Sequence, residues 1–498
     1  MNRFSGDLMR RLTSLSAIVS AGALCVACAH EPSASPSLGS PSLSALGAGS
    51  VSVVNVSRDT TSQNETPLAV NPANPSNMIT GNNDWNYNDG CGVNATFDGG
   101  KTWTPTLPSG FIPGITQFTN DPAVPGTGVY DFGGDPAVAF SPDGSTAYFT
   151  CFGYVGKNVA LWLSRSTDGG RTWTAGGPDH PLTLVSAFQG EGKARGSNGQ
   201  FPDHESMTVA DDGTIYVPWA HFTGFSAHSP IFIAVSHDGG NSFDLPVKVS
   251  SGSVRNDQDA RVVVDNATGY AYLTFDNSVQ GGKGTAMFVS VSTDHGATWS
   301  KSFRFATFQN PVCLYPPYCF NISGAGFRAP GSYPSPAFDP STGRLYVAYT
   351  DIVNGKAQIL LTYANVSDIT QWSTAVIVAS ASGDRINVEL SVEPSSGRLD
   401  LMTNDRSYTG NTLFDVAYIT SADGGRTWST TRVTKTSWDP SAYGVPCSSC
   451  ANGIRPFIGD YDGIISLPGS AAMVWTGPGK TFGVYATNLE VYFASVTP

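Results

Sequence analysis

The sequence predicts an all-β protein, a seven-bladed β-propeller of four-stranded antiparallel blades, with six blades as the alternative if two units merge. Three observations carry this expectation. An eight-residue box recurs five times, an apolar two-strand unit recurs seven times, and no long amphipathic helical pattern is present. The frequent Gly and Pro (55 and 33) and the low charged fraction of 13% suit short strands joined by turns.

Taken in order, the chain opens with Arg3, Arg10 and Arg11 ahead of an apolar run at 12–27. The run is too short and wrongly flanked for a spanning helix and reads as an export signal. Val26-Ala27-Cys28 after Leu24 resembles a bacterial lipoprotein cleavage site, with Cys28 as the lipidated residue, although Cys25 stands where Leu is usual. Plain secretion is the alternative, and Arg10-Arg11 loosely resembles a twin-arginine signal. Residues 28–50 are Ser/Pro-rich and read as a tether, leaving 51–498 as a single propeller domain.

The box is Ser166-Thr167-Asp168-Gly169-Gly170-Arg171-Thr172-Trp173, and further copies begin at Thr96, Ser236, Ser292 and Ser421. Its Asp is suited to accept hydrogen bonds from turn amides, its Gly to take positive φ, and its hydroxyl residues to cap the turn while the aromatic packs beneath. Strand-like runs at 160–164, 231–235, 287–291 and 414–419 lead into four of the boxes. The second unit, two strands a and b around a tight turn, occurs at 65–81, 135–150, 205–219, 259–275, 335–350, 389–403 and 460–476. Each blade therefore reads as a, b, c, box and a short strand d. The fifth keeps only Trp372 of its box, and the last has none. Residues 51–56 are expected to supply the outer strand of the last blade and close the circle.

Antiparallel order places the boxes on one face and the starts of strand a, the ends of strand b and the long d–a links (104–134, 174–202, 301–332, 429–455) on the other. The starts of strand a contribute Glu65, Asp135, Asp203-His204-Glu205, Asp257, Asp259, Arg261, Arg328, Arg385, Glu389, Arg455, Asp460 and Tyr461. The ends of strand b add Asp84, His221, Asp276, Asp351, Asp405 and Arg406. Such polar residues either line a wet channel or form a site. Asp203-His204-Glu205 with His180 and His221 also has the residue types of a metal site or a base, and Asp257 with Asp259 are candidate calcium ligands; no other cofactor is expected.

The formal net charge is −12, and removal of Arg3, Arg10, Arg11 and Asp7 with the signal takes it to about −14, which argues against nucleic acid as a partner. The expected partner is a glycan or polysaccharide, with membrane contact only through a lipid anchor. Beyond Cys28 lie Cys91, Cys151, Cys313, Cys319, Cys447 and Cys450. An even set in an exported chain points to disulfides, expected as Cys91–Cys151, Cys313–Cys319 and Cys447–Cys450.

The repeated box resembles the Asp-box (BNR) motif of the sialidase superfamily, and the resemblance covers residues 51–498. It implies a propeller, and for sialidases of this fold an arginine triad holding the sugar carboxylate, a Tyr–Glu nucleophile pair and an Asp acid/base. Carried onto this sequence, Arg261, Arg328, Arg385 and Arg455 would hold the carboxylate with His204 and His221 lining the sugar. Tyr461 with Glu389 or Glu205 would form the nucleophile, and Asp84 or Asp203 the acid. The family's Phe/Tyr-Arg-Ile-Pro motif is absent before the first box; Phe327-Arg328-Ala329-Pro330 resembles it ahead of the fifth unit. The resulting expectation is an exported sialidase-like glycoside hydrolase. Alternatives are a non-catalytic surface lipoprotein binding glycan or protein through Trp85, Tyr87, Phe222, Phe225 and Trp438, and a polysaccharide lyase similar to propeller lyases that use His, Tyr and Arg.

Overall fold

The computed structural model describes residues 51–58, 61–85, 90–107, 132–155, 158–174, 183–189, 201–222, 229–251, 256–277, 285–309, 322, 326–447, 450, 453–479 and 487–498. The segments read as export signal and tether, Cys28, Tyr87, His180, Phe225, and Cys313 and Cys319 with their expected pairing lie outside the described residues. Seven antiparallel sheets of a-b-c-d order form the propeller, joined by a small two-stranded sheet of Val445–Pro446 with Ile454–Arg455. Helical structure among the described residues is confined to two 3-10 turns, Ser407–Thr409 and Pro440–Ala442.

Each blade takes its strands from consecutive sequence except the last. There, strands Gly463–Leu467, Ser470–Pro478 and Leu489–Val496 are completed by Ser52–Asn55, which pairs antiparallel with Tyr492 to Ser495. The circle closes by main-chain hydrogen bonds between the two ends of the domain, as expected. The four long segments differ from the expectation in one respect, since each contains strand d before the link begins: Thr104–Leu107, Thr183–Gln189, Phe303–Thr307 and Ser429–Arg432. Leaving the box, the chain first pairs with strand c and satisfies its backbone groups there.

The hydrophobic core lies between blades, because each twisted sheet buries one face against each neighbour. Ile79, Val93 and Ala95 of the first blade meet Val138 and Phe149 of the second, and Leu161 and Leu163 of the second meet Ile215, Val217 and Trp219 of the third. Fully burying such a side chain contributes roughly 1.5–3 kcal/mol. The Cys91–Cys151 disulfide ties strand c of the first blade to strand b of the second within the same layer, and Cys447–Cys450 closes a short turn.

The five box segments share one hydrogen-bond pattern. In the second blade Asp168 Oδ1 accepts from the Arg171 and Thr172 amides, Asp168 Oδ2 from Thr172 Oγ1 at 2.6 Å, and Ser166 Oγ from the Gly170 amide at 2.8 Å. The second Gly also seats each turn on the preceding blade. A Cβ on Gly170 would stand 2.7 Å from Ile79 Cγ2, and one on Gly240 2.5 Å from Leu163 Cδ2.

Gly170→Ala is predicted to cost roughly 1–3 kcal/mol, because φ is +92° and the added carbon meets the neighbouring blade. Gly213→Ala, at φ +86° with no atom within 4 Å, is predicted to lose only the backbone part, about 1 kcal/mol. Thermal melts of the two variants compare them directly; equal losses would remove the blade-seating role of the box glycine.

Candidate functional site

Strand a begins the same way in five blades. Glu65, Asp135, His204, Asp259 and Asn387 all have φ between 47° and 59°, and Gly459 takes the corresponding place in the last blade at 99°. At each of Asp135, Asp259 and Asn387 the register against strand b slips by one residue, between Gly134 and Ala137, Gln258 and Arg261, and Ile386 and Glu389. The slip is a β-bulge, and a non-Gly residue held there costs about 1 kcal/mol. Without the bulge, alternation would send successive side chains to opposite faces of the blade. With it, the bulge residue and the residue two positions on both reach the central channel, as Asp259 and Arg261 do when they bind each other at 3.0 Å.

Contacts run from blade to blade around this point. The Asp135 amide donates to Asn83 Oδ1 (2.7 Å), and the Asn83 side-chain amide donates to Glu65. The His204 amide donates to Asp135 Oδ2 at 2.8 Å, and the His204 imidazole Nε2 stands 3.0 Å from Asp259 Oδ1. Arg261 bridges Asp259 to Glu389, donating to Glu389 Oε1 at 2.9 Å with its second nitrogen on Oε2. Ser335 Oγ also donates to Glu389 (3.1 Å). From the last blade, the Asp460 amide donates to Glu65 (3.2 Å), and Asp460 Oδ2 receives Arg328 at 2.8 Å. Tyr461 stacks on His204 at 4.8 Å and donates to the Pro136 carbonyl, while Tyr333 meets the His204 ring edge-on at 4.9 Å.

Burial sets the protonation of this group. Desolvation, with the Asp135 and Asp460 charges, holds Glu65 well above the usual carboxylate range. Burial, then Asp135, pushes Asp203 up to about 7, and burial with Asp135 and Asp203 raises Glu205 well above its ordinary value. Burial also raises Asp135, against the His204 amide. Neither Glu205 oxygen meets hydrogen-bond geometry, although the Phe152 backbone lies near enough to favour its anion weakly. Burial opposes ionisation of both His204 and Asp259, but Asp259 outweighs it for the imidazole, and Arg261 with His204 outweigh it for Asp259. Each partner thus favours the charged form of the other. Burial, with the surrounding carboxylates, keeps Tyr461 neutral.

The residues expected from sequence thus fall into two layers. Asp203, His204, Glu205, Asp259, Arg261, Arg328, Glu389 and Tyr461 belong to the channel cluster. Asp84, Asp257 and Arg385 belong to a layer nearer the blade mouth, where the residue two before the bulge meets its partner on strand b: Gln63 with Asp84 (3.4 Å), Asp257 with Asn277 (2.9 Å) and Arg385 with Asp405 (2.8 Å). Arg385 further donates to the Val378 and Ala379 carbonyls at the end of the fifth blade, so its fork is consumed by structural partners. His221 occupies the same layer opposite Pro202, beside Trp219 and Phe232, where burial lowers its pKa to about 4. Arg455 pairs with Val445 in the small sheet. Asp257 and Asp259, the candidate calcium ligands, diverge: Asp257 turns to Asn277 and Asp259 to His204 and Arg261. No group of three His, Cys, Asp or Glu among the described residues has metal-holding geometry.

Sequence reasoning passed over Tyr333, Asn83, Asn387 and Asp462. Asn387 donates to Asp462 at 2.7 Å, and burial pushes Asp462 up to about 8. Tyr333 follows Gly331 and Ser332 and reads as loop. The spacing of a left-handed residue two before a channel residue, seen at Asp259 and Arg261, is the signal that finds Asn387 with Glu389 and Gly459 with Tyr461.

No family model matches the sequence, and no curated protein matches it. Among solved structures it is similar to a Dyadobacter fermentans protein of unknown function, at 12% identity over 89% of this chain and 97% of that one, TM-score 0.47. It is also similar to an ulvan lyase of a polysaccharide-lyase family, at 13% identity over 88% and 95%, TM-score 0.48. A Hadza microbial sialidase shares 14% identity over 77% and 74%, TM-score 0.46.

The channel carboxyls give a signed prediction. A carboxyl whose folded pKa is raised stays protonated in the fold, so stability falls as pH rises above its ordinary value of 4.5. Glu205→Gln removes that penalty, and its melting temperature should exceed wild type by more at about pH 7 than at about pH 4. A pH-independent difference would contradict the raised Glu205.

Proposed function

We propose that this protein is an exported glycan-active enzyme, a glycoside hydrolase that works by carboxyl acid–base chemistry at the channel cluster. The observation that carries the reading is the crowding of Glu65, Asp135, Asp203 and Glu205 beside Tyr461, with Glu65 and Asp135 on strained bulge positions and Asp203 and Glu205 flanking the one at His204. Carboxyls this close cannot all ionise, so the cluster holds a protonated acid and an ionised base together at neutral pH. Asp203, half-buried and held protonated to about pH 7, is the proton donor to the leaving oxygen. The Glu65–Asp135 pair takes the proton from the attacking group, and neutral Tyr461 stands beside it, within the field of Glu65, Asp135 and Glu205. Backbone strain concentrated at one point of a fold is the usual companion of a functional site.

The box motif's likeness to the Asp-box of sialidases supports a sugar substrate, and the two disulfides support an oxidising, extracellular compartment. Lipidation at Cys28 belongs to the same reading. Within the cluster, the sialidase roles shift: Tyr461 stands with Glu65, Asp135 and Glu205 rather than with Glu389, which Arg261 occupies.

Asp203→Asn is predicted to lower release of reducing ends from a glycan panel by about 100-fold without lowering the melting temperature. Wild-type turnover should fall as pH rises through about 7, where the Asp203 proton leaves. A full rate in the Asp203 variant would overturn the assignment, and an unsaturated, ultraviolet-absorbing product would replace hydrolysis with elimination.

A further inference from the structure

Once the ion pairs are drawn, the channel cluster contains carboxyls with no cation of their own. Arg261 and His204 face Asp259 and Glu389, and Arg328 faces Asp460. The hydrogen bonds on Glu65, Asp135 and Asp203 come from neutral groups, the Asn83 side chain and Asp460 amide on Glu65, the His204 amide on Asp135 and the Gln258 side chain on Asp203, with Glu65 and Asp135 also bonded to each other; Arg328 and His204 act on them only through space. Glu205 is 2% exposed and neither of its oxygens is hydrogen-bonded, yet it lies in the field of Asp135, Asp203 and Tyr461. A buried carboxyl without a well-formed hydrogen bond is costly, and the Phe152 backbone nearby offsets only a small part of that cost.

The missing partner is defined by what the group repels and what it would accept. A sugar carboxylate or sulfate entering here would meet surplus acid, while both guanidiniums are already engaged by Asp259, Glu389 and Asp460. Metal-holding geometry is not found among the described residues. A primary ammonium brings one positive charge and three N–H donors, which match oxygens that are acceptors once ionised. We propose that the channel recognises the free amino group of an amino sugar, with Glu205 as the anchoring carboxylate and Asp135 and Asp203 beside it. This rests on the glycan-hydrolase reading for the source of the amine and narrows its substrate to glycans with unacetylated amino groups.

Binding draws a proton off the cluster, since Glu205 must ionise to hold the ammonium. The groups facing it are Asp135 from the second blade, Asp203 from the third and Tyr461 from the last, and these in turn lie in the field of Glu65, His204 and Asp460. Deprotonation of the acids strengthens binding as pH rises, until the amine itself loses its proton.

The test is calorimetric titration of the mature full-length protein with a glucosamine tetramer, its N-acetylated counterpart, a sialylated oligosaccharide and butylamine. The free-amine tetramer should bind at least about tenfold tighter than the acetylated one and release a proton, read from the dependence of heat on buffer. Glu205→Gln should erase that preference while retaining the wild-type circular dichroism, and Asp135→Asn should reduce it. Equal binding of the two tetramers, tighter binding of the sialylated sugar, or a preference that survives Glu205→Gln would overturn the proposal. Butylamine binding as tightly as the tetramer would overturn the amino-sugar assignment. Cleavage of neutral glycans without an amine preference would sink this inference and leave the hydrolase reading standing. An amine preference without cleavage of any glycan would do the reverse.

Discussion

A one-residue bulge at the start of strand a is the constraint on which the channel depends. An undistorted inner strand alternates its side chains between the two faces of its blade, and neither face is the propeller axis. The bulge breaks that alternation where the chain enters the channel, and it repeats at Glu65, Asp135, His204, Asp259 and Asn387. Because the blades are bolted to each other by apolar layers such as that of Ile79, Val138 and Phe149, five local distortions become one fixed constellation. The rigid part of the fold supports the strained part. This is why charged groups from the first, second, third, fourth, sixth and last blades are linked through hydrogen bonds around one point.

The same geometry separates structural polar pairs from the cluster. Gln63 with Asp84, Asp257 with Asn277 and Arg385 with Asp405 are cross-strand pairs at equivalent positions outside the bulge, and each satisfies its own blade. Inside the bulge, contacts cross between blades: Asp135 reaches His204, His204 reaches Asp259, and Arg261 reaches Glu389. A charge balanced within one blade stabilises that blade. A charge balanced by a neighbouring blade, or left without a partner as in Glu205, makes the axis chemically distinct from the rest of the surface.

Much of the architecture was legible in the residues. The boxes around Asp98, Asp168, Asp238, Asp294 and Asp423 write out their own hydrogen bonds, since Asp, Gly and a hydroxyl residue at fixed spacing define a turn. Strand alternation and seven units then lead to the blade count and to closure through Ser52–Asn55. The grouping of His204, Glu205, Arg261 and Tyr461 at one end of the inner strands was also accessible. What sequence reasoning lacked was side-chain direction. Arg385 and Glu389 lie four residues apart on one strand, which reads as the same face, but the bulge at Asn387 shifts the register between them by one residue. Arg385 therefore turns to Asp405, and Glu389 reaches Arg261. Tyr333 was hidden for a different reason, because its flanking Gly331, Ser332 and Pro334 carry the composition of a turn.

Strain, burial and charge coincide at the bulge end of the channel, opposite the box turns, and that end is the proposed working surface. Hydrogen–deuterium exchange on adding an oligosaccharide that the protein cleaves tests that claim most directly. Increased protection is expected in the peptides holding Glu65, Asp135, Asp203 to Glu205 and Asp460 to Tyr461, with the box turns at Asp168 and Asp238 unchanged. Protection confined to the box turns, or to the outer strands, would contradict it.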